Sequence, residues 1–398
     1  MKRLLHLLTL LLLSLPLIGQ IPVQADSLDA RGFNWQLGLQ ATQRSNSLDN
    51  EFLRILTVGG HLGPEAIADA RGEMRNFGSL SLNGDFTFAL ENAENGKGWR
   101  VNSGIISDIR WTPELFDLVF TGNAPHLGRW DVLNGTRGRA WQLNTIQRTG
   151  QWANNRNVLE WAAGVTHRAL GAASDVRTGY LWVSGEVDTL FTSLYARSAV
   201  ERTSAFGPSG QIRFTHLDPA SKVSLTLQAS QLGVLRVPAG TERISIDTVL
   251  ATTGLPLTGP GWSIESLQDE DFEESLIIRD TLGGHWDVLP AVLEASLSGG
   301  LVPGLAWEVR GTVGGWRPVP EAMAGFQFQL GRRASAGIRA IYGGWGKFRP
   351  AAWAAFPVGP EHTLTIYAED PVASFQNSGL GRGVAVQLSR NITAGKKR

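Results

Sequence analysis

The segment Gly32-Phe33-Asn34-Trp35-Gln36-Leu37-Gly38-Leu39-Gln40-Ala41 sorts by parity. Phe33, Trp35, Leu37 and Leu39 are apolar, while Asn34, Gln36, Gly38 and Gln40 are polar or small. Successive side chains of an extended chain point to opposite faces, so one face here is greasy and the other wet. The alternation returns in other phases further on. Leu80, Leu82, Phe86, Phe88 and Leu90 oppose Ser79, Ser81, Asn83, Asp85 and Thr87. Val223, Leu225, Leu227 and Ala229 oppose Ser224, Thr226, Gln228 and Ser230. Leu305, Trp307 and Val309 oppose Glu308, Arg310 and Thr312; Leu364 and Ile366 oppose Thr363 and Thr365; Val384, Val386 and Leu388 end the series. The turn pairs Asn95-Gly96, Asn134-Gly135, Gly299-Gly300 and Pro303-Gly304 punctuate the runs.

Parity does not say which face is inside, because a soluble β-sandwich alternates too. Other features of the chain favour a membrane barrel. Lys2 and Arg3 precede an apolar run from Leu4 to about Ile18, and Val23-Gln24-Ala25 supplies a small-x-small cleavage pattern. The expected export signal is residues 1–25, since the run is short of the roughly 20 residues of a spanning helix. The chain has 0 Cys, hence no disulfide and no lipid-attachment cysteine. Lys+Arg and Asp+Glu are both 36, which excludes a basic field for nucleic acid. Charged residues make up 18 %, and 47 Gly and 14 Trp suit a curved sheet with interfacial rings. Lipid tolerates a sheet only if it closes.

The expected fold is therefore all-β: a single closed antiparallel transmembrane β-barrel of about 14 strands, in a range of roughly 12 to 16, each about 9 to 12 residues long. It would occupy residues 26–392, followed by a basic tail, 393–398. Two stretches break the rhythm. Thr112-Pro113-Glu114 is a helix start followed by Leu115, Phe116, Leu118, Val119 and Phe120, with Gly122-Asn123 as the stop. Residues 64–74 form a weakly amphipathic helix. Helices of a barrel belong in its lumen or its loops.

Several blocks carry a resemblance. They are Ser47-Leu48-Asp49-Asn50 with Phe52, Gly59-Gly60-His61-Leu62, and Phe116-Asp117-Leu118-Val119-Phe120-Thr121-Gly122-Asn123 with Leu127-Gly128. With Leu232-Gly233-Val234-Leu235, Asp280-Thr281-Leu282 and Leu289-Pro290-Ala291, they resemble an uncharacterised family of Bacteroidota outer-membrane β-barrel proteins. That family is distantly similar to barrels of the long-chain fatty-acid transporter type. The resemblance implies a fold and an outer membrane, with no assigned activity and no catalytic residue.

Candidate chemistry is sparse. His61, His126, His167, His216, His285 and His362 lie far apart, no metal-ligand spacing occurs, and no nucleophile elbow is present. The acidic run Asp269, Glu270, Asp271, Glu273 and Glu274 lacks the order of a calcium loop and reads as a solvated loop. No catalytic residue, metal or cofactor is expected, and the protein is expected not to be an enzyme. Arg100, Arg110, Glu308, Arg310 and Arg339 have polar parity and are the candidate lumen lining; Gly122 and Asn123 are a candidate loop motif, with a tight turn as the plainer reading. Two barrel functions remain open at this point, beside the lesser alternative of a soluble exported β-sandwich binding protein. One is a structural or secretion- or transport-associated barrel whose lumen the helical segments fill. The other is an open or substrate-selective channel for small solutes. The expected partners are outer-membrane lipid, the barrel assembly machinery, and secretion or surface proteins.

Overall fold

The computed structural model describes residues 33–74, 76–93, 95–122, 127–184, 189–201, 204–253, 277–331, 333–371 and 379–390. The expected export signal, the acidic run 269–274, Asn123, His126 and the basic tail lie outside them.

Alternation becomes a closed sheet of 14 antiparallel staves. The first three are β1 (Phe33–Ser45), β2 (Gly78–Asn92) and β3 (Gly98–Trp111). The fourth combines β4 (Trp130–Val132) with β5 (Arg137–Ala153), and the fifth is β6 (Asn157–Val183). The sixth is β7 (Thr189–Glu201) continued by β8 (Ala205–Asp218); the seventh is β9 (Val223–Val237) continued by β10 (Thr241–Thr253). The eighth is broken into β11 (Ile277–Leu282), β12 (His285–Val288) and β13 (Val292–Val302). Six plain staves complete the wall: β14 (Leu305–Gly314), β15 (Glu321–Gln329), β16 (Ser335–Gly343), β17 (Arg349–Val358), β18 (His362–Glu369) and β19 (Gly381–Arg390). The last, β19, pairs with β1 and closes the barrel.

Register lines the greasy faces up. Phe356, Leu364, Leu388, Leu37, Phe88, Val101, Ile146 and Val165 are successive cross-strand partners, a row running over β17, β18, β19, β1, β2, β3, β5 and β6. The interleaved row is polar: Thr365, Gln387, Gly38, Thr87, Asn102, Thr145 and Thr166. Of the outward set Phe33, Trp35, Leu37, Leu39, Val223, Leu225, Leu227, Leu364, Ile366, Val384, Val386 and Leu388, none is buried. The alternate residues Thr365, Ala385, Gln387 and Ser389 are buried. A continuous belt of exposed aliphatic side chains is stable only against lipid. Phe33, Trp99, Trp152, Phe328 and Phe356 ring one rim of that belt, where amphipathic rings favour the membrane interface.

The staves are less uniform than expected. The shortest is β18 with 8 residues and β6 runs 27 without a break, whereas a tilted crossing needs about 9–11. The surplus lies on one side: the upper part of β6 pairs with β7, β7 with β10, and β10 with β11, so this wall rises beyond the belt. Connections such as 93–97, 154–156, 219–222 and 303–304 are short at one end, while 46–77, 112–129 and 370–380 are long at the other.

Three short helices are present among the described residues, where one or two were expected. They are α1 (Asn50–Val58), α2 (Pro64–Glu73) and α3 (Pro113–Phe120). The Asp49 carboxylate caps α1 by accepting from Phe52 N–H at 2.7 Å, and Thr112 caps α3 through Leu115 N–H. Phe52, Leu53, Ala70, Met74 and Phe116 form a buried cluster against Leu80 and Trp111 at the long-loop ends of β2 and β3. Leu80 and Trp111 have outward parity, so the helices pack on the rim.

Candidate functional site

Polar parity on every wall leaves a wet interior. Inside the barrel is a cavity of about 1020 Å³, lined by Gln40, Thr42, Asn83, Asp85, Asn102, Thr145, Gln211, Thr226, Ser296 and their neighbours. The lining side chains partly satisfy one another, as in Thr87 to Asn102 at 2.9 Å and Thr145 with Thr166 at 2.8 Å. Nothing from α1, α2 or α3 is among the lining residues. The helices thus do not fill the lumen and take the loop placement of the two that the sequence left open, because their apolar faces are spent on the rim cluster.

Arg100, Glu308, Arg310 and Arg339 line the cavity. Each is paired: Arg310 with Glu308 at 2.5 Å and Glu294 at 3.4 Å, Arg339 with Glu308 at 3.1 Å, and Arg100 with Glu91 at 3.3 Å. Arg110 stands apart at the long-loop mouth, its guanidinium 4.1 Å from the centre of the Phe77 ring. Gly122 follows α3 with φ +76°, a backbone state that suits glycine, which fits the turn reading of this position. His167 stacks on Phe206 and His216 accepts or donates a hydrogen bond at Asn157, so both have structural roles. Among the described residues, no group of three metal-ligating side chains occurs.

The sequence reading missed what crosses the mouth. Two hairpin loops, 315–320 and 344–348, carry the repeated string Gly-Gly-Trp as Gly314-Gly315-Trp316 and Gly343-Gly344-Trp345. All four glycines have positive φ, and a Cβ on Gly314 or Gly343 would sit 2.2 Å from a neighbouring carbonyl oxygen. These turns aim the indoles at the opposite wall. Trp316 meets Trp141 of β5 edge-on at 4.9 Å, and the Arg139 guanidinium lies 4.4 Å from its ring centre. Trp345, 4 % exposed, donates its indole N–H to Asp108 of β3 at 3.2 Å, and Arg317 packs over its ring at 5.2 Å. The Lys347 ammonium also pairs with Glu73 of α2, joining the second loop to the helices.

A buried ionic group anchors this lid from below. Arg44 donates to both oxygens of Glu369, at 2.9 and 2.7 Å. Arg349 donates to Glu369 at 2.5 Å and to Glu321 at 2.9 Å, and also to the carbonyls of Gly343 and Lys347, each at 3.0 Å. On another sector of the wall, Gln231 and Gly233 bulge β9, so that Leu235 and Val237 turn inward beside Ala205 and Leu289, with Trp141 and Leu143 packed on them.

No family model matches the chain, and no curated protein matches it. Among solved structures, the Pseudomonas putida toluene transporter TodX is 8 % identical over 90 % of this chain and 89 % of that chain, with a TM-score of 0.44. A Pseudomonas aeruginosa FadL homologue is 8 % identical over 92 % and 91 %, with a TM-score of 0.45. The translocator domain of the autotransporter NalP from Neisseria meningitidis is 8 % identical over 91 % and 89 %, with a TM-score of 0.33. These neighbours are only loosely superimposable on the barrel.

Proposed function

We propose that the protein is a non-enzymatic outer-membrane barrel that passes small polar solutes and is closed at its outer mouth by the two Gly-Gly-Trp loops. The observation that carries this reading is the polar cavity of about 1020 Å³ beneath a lid that is hydrogen-bonded across the lumen. A purely structural barrel has no need of a solvated interior of that size. The outer membrane follows from the apolar belt together with the export signal read in residues 1–25, and the long-loop end then faces outward. Lipid and the barrel assembly machinery are the partners this implies. The Bacteroidota family resemblance rests on the sequence blocks alone.

Planar-bilayer recording tests the proposal. The wild type should open rarely, and Trp345→Ala, which removes the bond to Asp108, should raise the open time severalfold. A Trp345→Ala variant that inserts and stays silent, together with a separate variant lacking residues 344–347 that is silent too, would show the barrel to be structural.

A further inference from the structure

We infer that the outer mouth carries an oxyanion-recognition site, formed by Arg110, Arg137 and Arg139 around Asp108, that takes a small carboxylate-, phosphate- or sulfate-bearing solute above the lid. The inference rests on the solute-conduit reading and deepens it.

The charge count of this cluster differs from that of the other ionic groups in the lumen. Arg44 and Arg349 face Glu321 and Glu369, and Arg310 and Arg339 face Glu294 and Glu308, so the ion pairs of both groups balance, with Arg317 beneath the lid as one added cation. At the mouth, three guanidiniums share one carboxylate. Oδ2 of Asp108 accepts from Arg137 at 3.1 Å and Arg139 at 2.7 Å, and Oδ1 is occupied by the Trp345 indole. Asp108 is fully buried, and its acceptor capacity on this side is committed. Arg110 lies against Phe77, and the Nε atoms of Arg110 and Arg139 are buried without an acceptor. Two positive charges are left over, together with N–H donors that no protein group accepts.

The arrangement suits an incoming oxyanion. Phe77 and Trp316 take the flat faces of Arg110 and Arg139, which leaves the guanidinium edges, where the donors lie, turned away from the rings. Those edges match the paired oxygens of a carboxylate or phosphate. The side chains of Arg137 and Arg139 are 32 % and 27 % exposed, reachable from solvent yet partly desolvated, so their attraction for an anion is stronger than in bulk water. None of the four residues lines the cavity, whereas Arg317 and Trp345 do, which puts the cluster on the outer side of the lid. A solute entering from outside meets the arginines first.

The test is calorimetric titration of the full-length protein in detergent micelles with sodium sulfate, against sodium chloride at equal ionic strength. The wild type should bind sulfate saturably at one site, and Arg110→Gln should weaken it about tenfold. Asp108→Asn removes the internal competitor and should tighten binding, the opposite of what a structural role for this residue gives. If Asp108→Asn does not fold, Arg110→Gln, whose side chain has no carboxylate partner among the described residues, carries the test alone. Absence of saturable sulfate binding in the wild type would overturn the inference, as would an Arg110→Gln variant that binds like the wild type. Sulfate binding in a barrel that never conducts, even without its lid, keeps the site and sinks the conduit; conduction without sulfate binding does the reverse.

Discussion

Replacing Glu369 with Ala should be among the costliest single changes in this barrel. Glu369 and Arg349 are both 0 % exposed, and Arg44 on the closing stave β1 reaches the same carboxylate. Removing it leaves two guanidiniums facing each other with only Glu321, at 2.9 Å from Arg349 and 3.7 Å from Arg44, to share. Breaking a buried ion pair from one side costs about 3–5 kcal/mol, because the surviving charge stays desolvated. The triad of Arg44, Arg349 and Glu369 spans β1, β17 and β18, so the loss falls on the seam where the cylinder closes. Glu369→Gln keeps the volume and one acceptor, and should recover part of the loss. Urea unfolding in micelles, followed by tryptophan fluorescence and by heat-modifiable gel mobility, gives the difference directly. A second readout comes from the lid: Arg349 also holds the carbonyls of Gly343 and Lys347, so a displaced guanidinium should free loop 344–348 and lengthen channel openings. A Glu369→Ala cost below about 1 kcal/mol, with openings unchanged, would mean that water already solvates this group and that the ionic anchor is not what holds the lid.

Four further outcomes are expected. Ile366→Arg, on the lipid face of β18, should cost about 2–4 kcal/mol in folding into vesicles, whereas Thr226→Arg, which lines the cavity, should cost far less. Arg310→Glu leaves Glu294 and Glu308 without their shared cation, so the reversal potential of the unlocked channel should move toward cation selectivity. Phe116→Ala should cost about 3–5 kcal/mol within the helix cluster, exposing 46–77 to protease while the barrel stays heat-modifiable. At the turn 219–222, hydrogen bonds from the Ser221 hydroxyl and the Ala220 N–H hold the Asp218 carboxyl below its ordinary value. Its contribution is therefore present above about pH 4 and is lost as pH falls through the lowered value, and Asp218→Asn should flatten the acid limb of the unfolding curve.

Strand parity made the barrel legible because a period of two survives any tilt, twist or bulge short of a register shift. Leu37 and Gln387 fall on opposite faces whatever the number of staves. Stave length was not legible in the same way: β6 runs 27 residues because its upper half pairs with β7 rather than with the membrane-level neighbour β8, a long-range choice that leaves no local trace. The helix α1 went unread for a related reason. Asn50–Val58 shows its apolar stripe only once Phe52 and Leu53 meet Phe116 from a segment sixty residues away. Lumen arginines could be placed by parity, yet parity says nothing about pairing, and pairing is what separates neutral Arg310 and Arg339 from the unbalanced cluster at Arg110.

The lid was within reach of the sequence. Tryptophan has an apolar body and one N–H, so it suits a lipid interface and a polar lumen equally well, and a count of 14 invites the first reading. Context separates the two. Trp99 and Trp152 sit inside alternating runs with polar neighbours of opposite parity, and their faces are outward. Trp316 and Trp345 each follow two glycines at a hairpin end and are followed by Arg317 and by Lys347 and Arg349. An indole at an interface needs no left-handed backbone to reach lipid, because strand geometry already points it there. One that must turn back over the lumen does need it, and Trp345 there also finds the Asp108 carboxylate for its N–H. Paired glycines before a tryptophan, with cations after it, are therefore the sequence mark of a ring folded into a barrel.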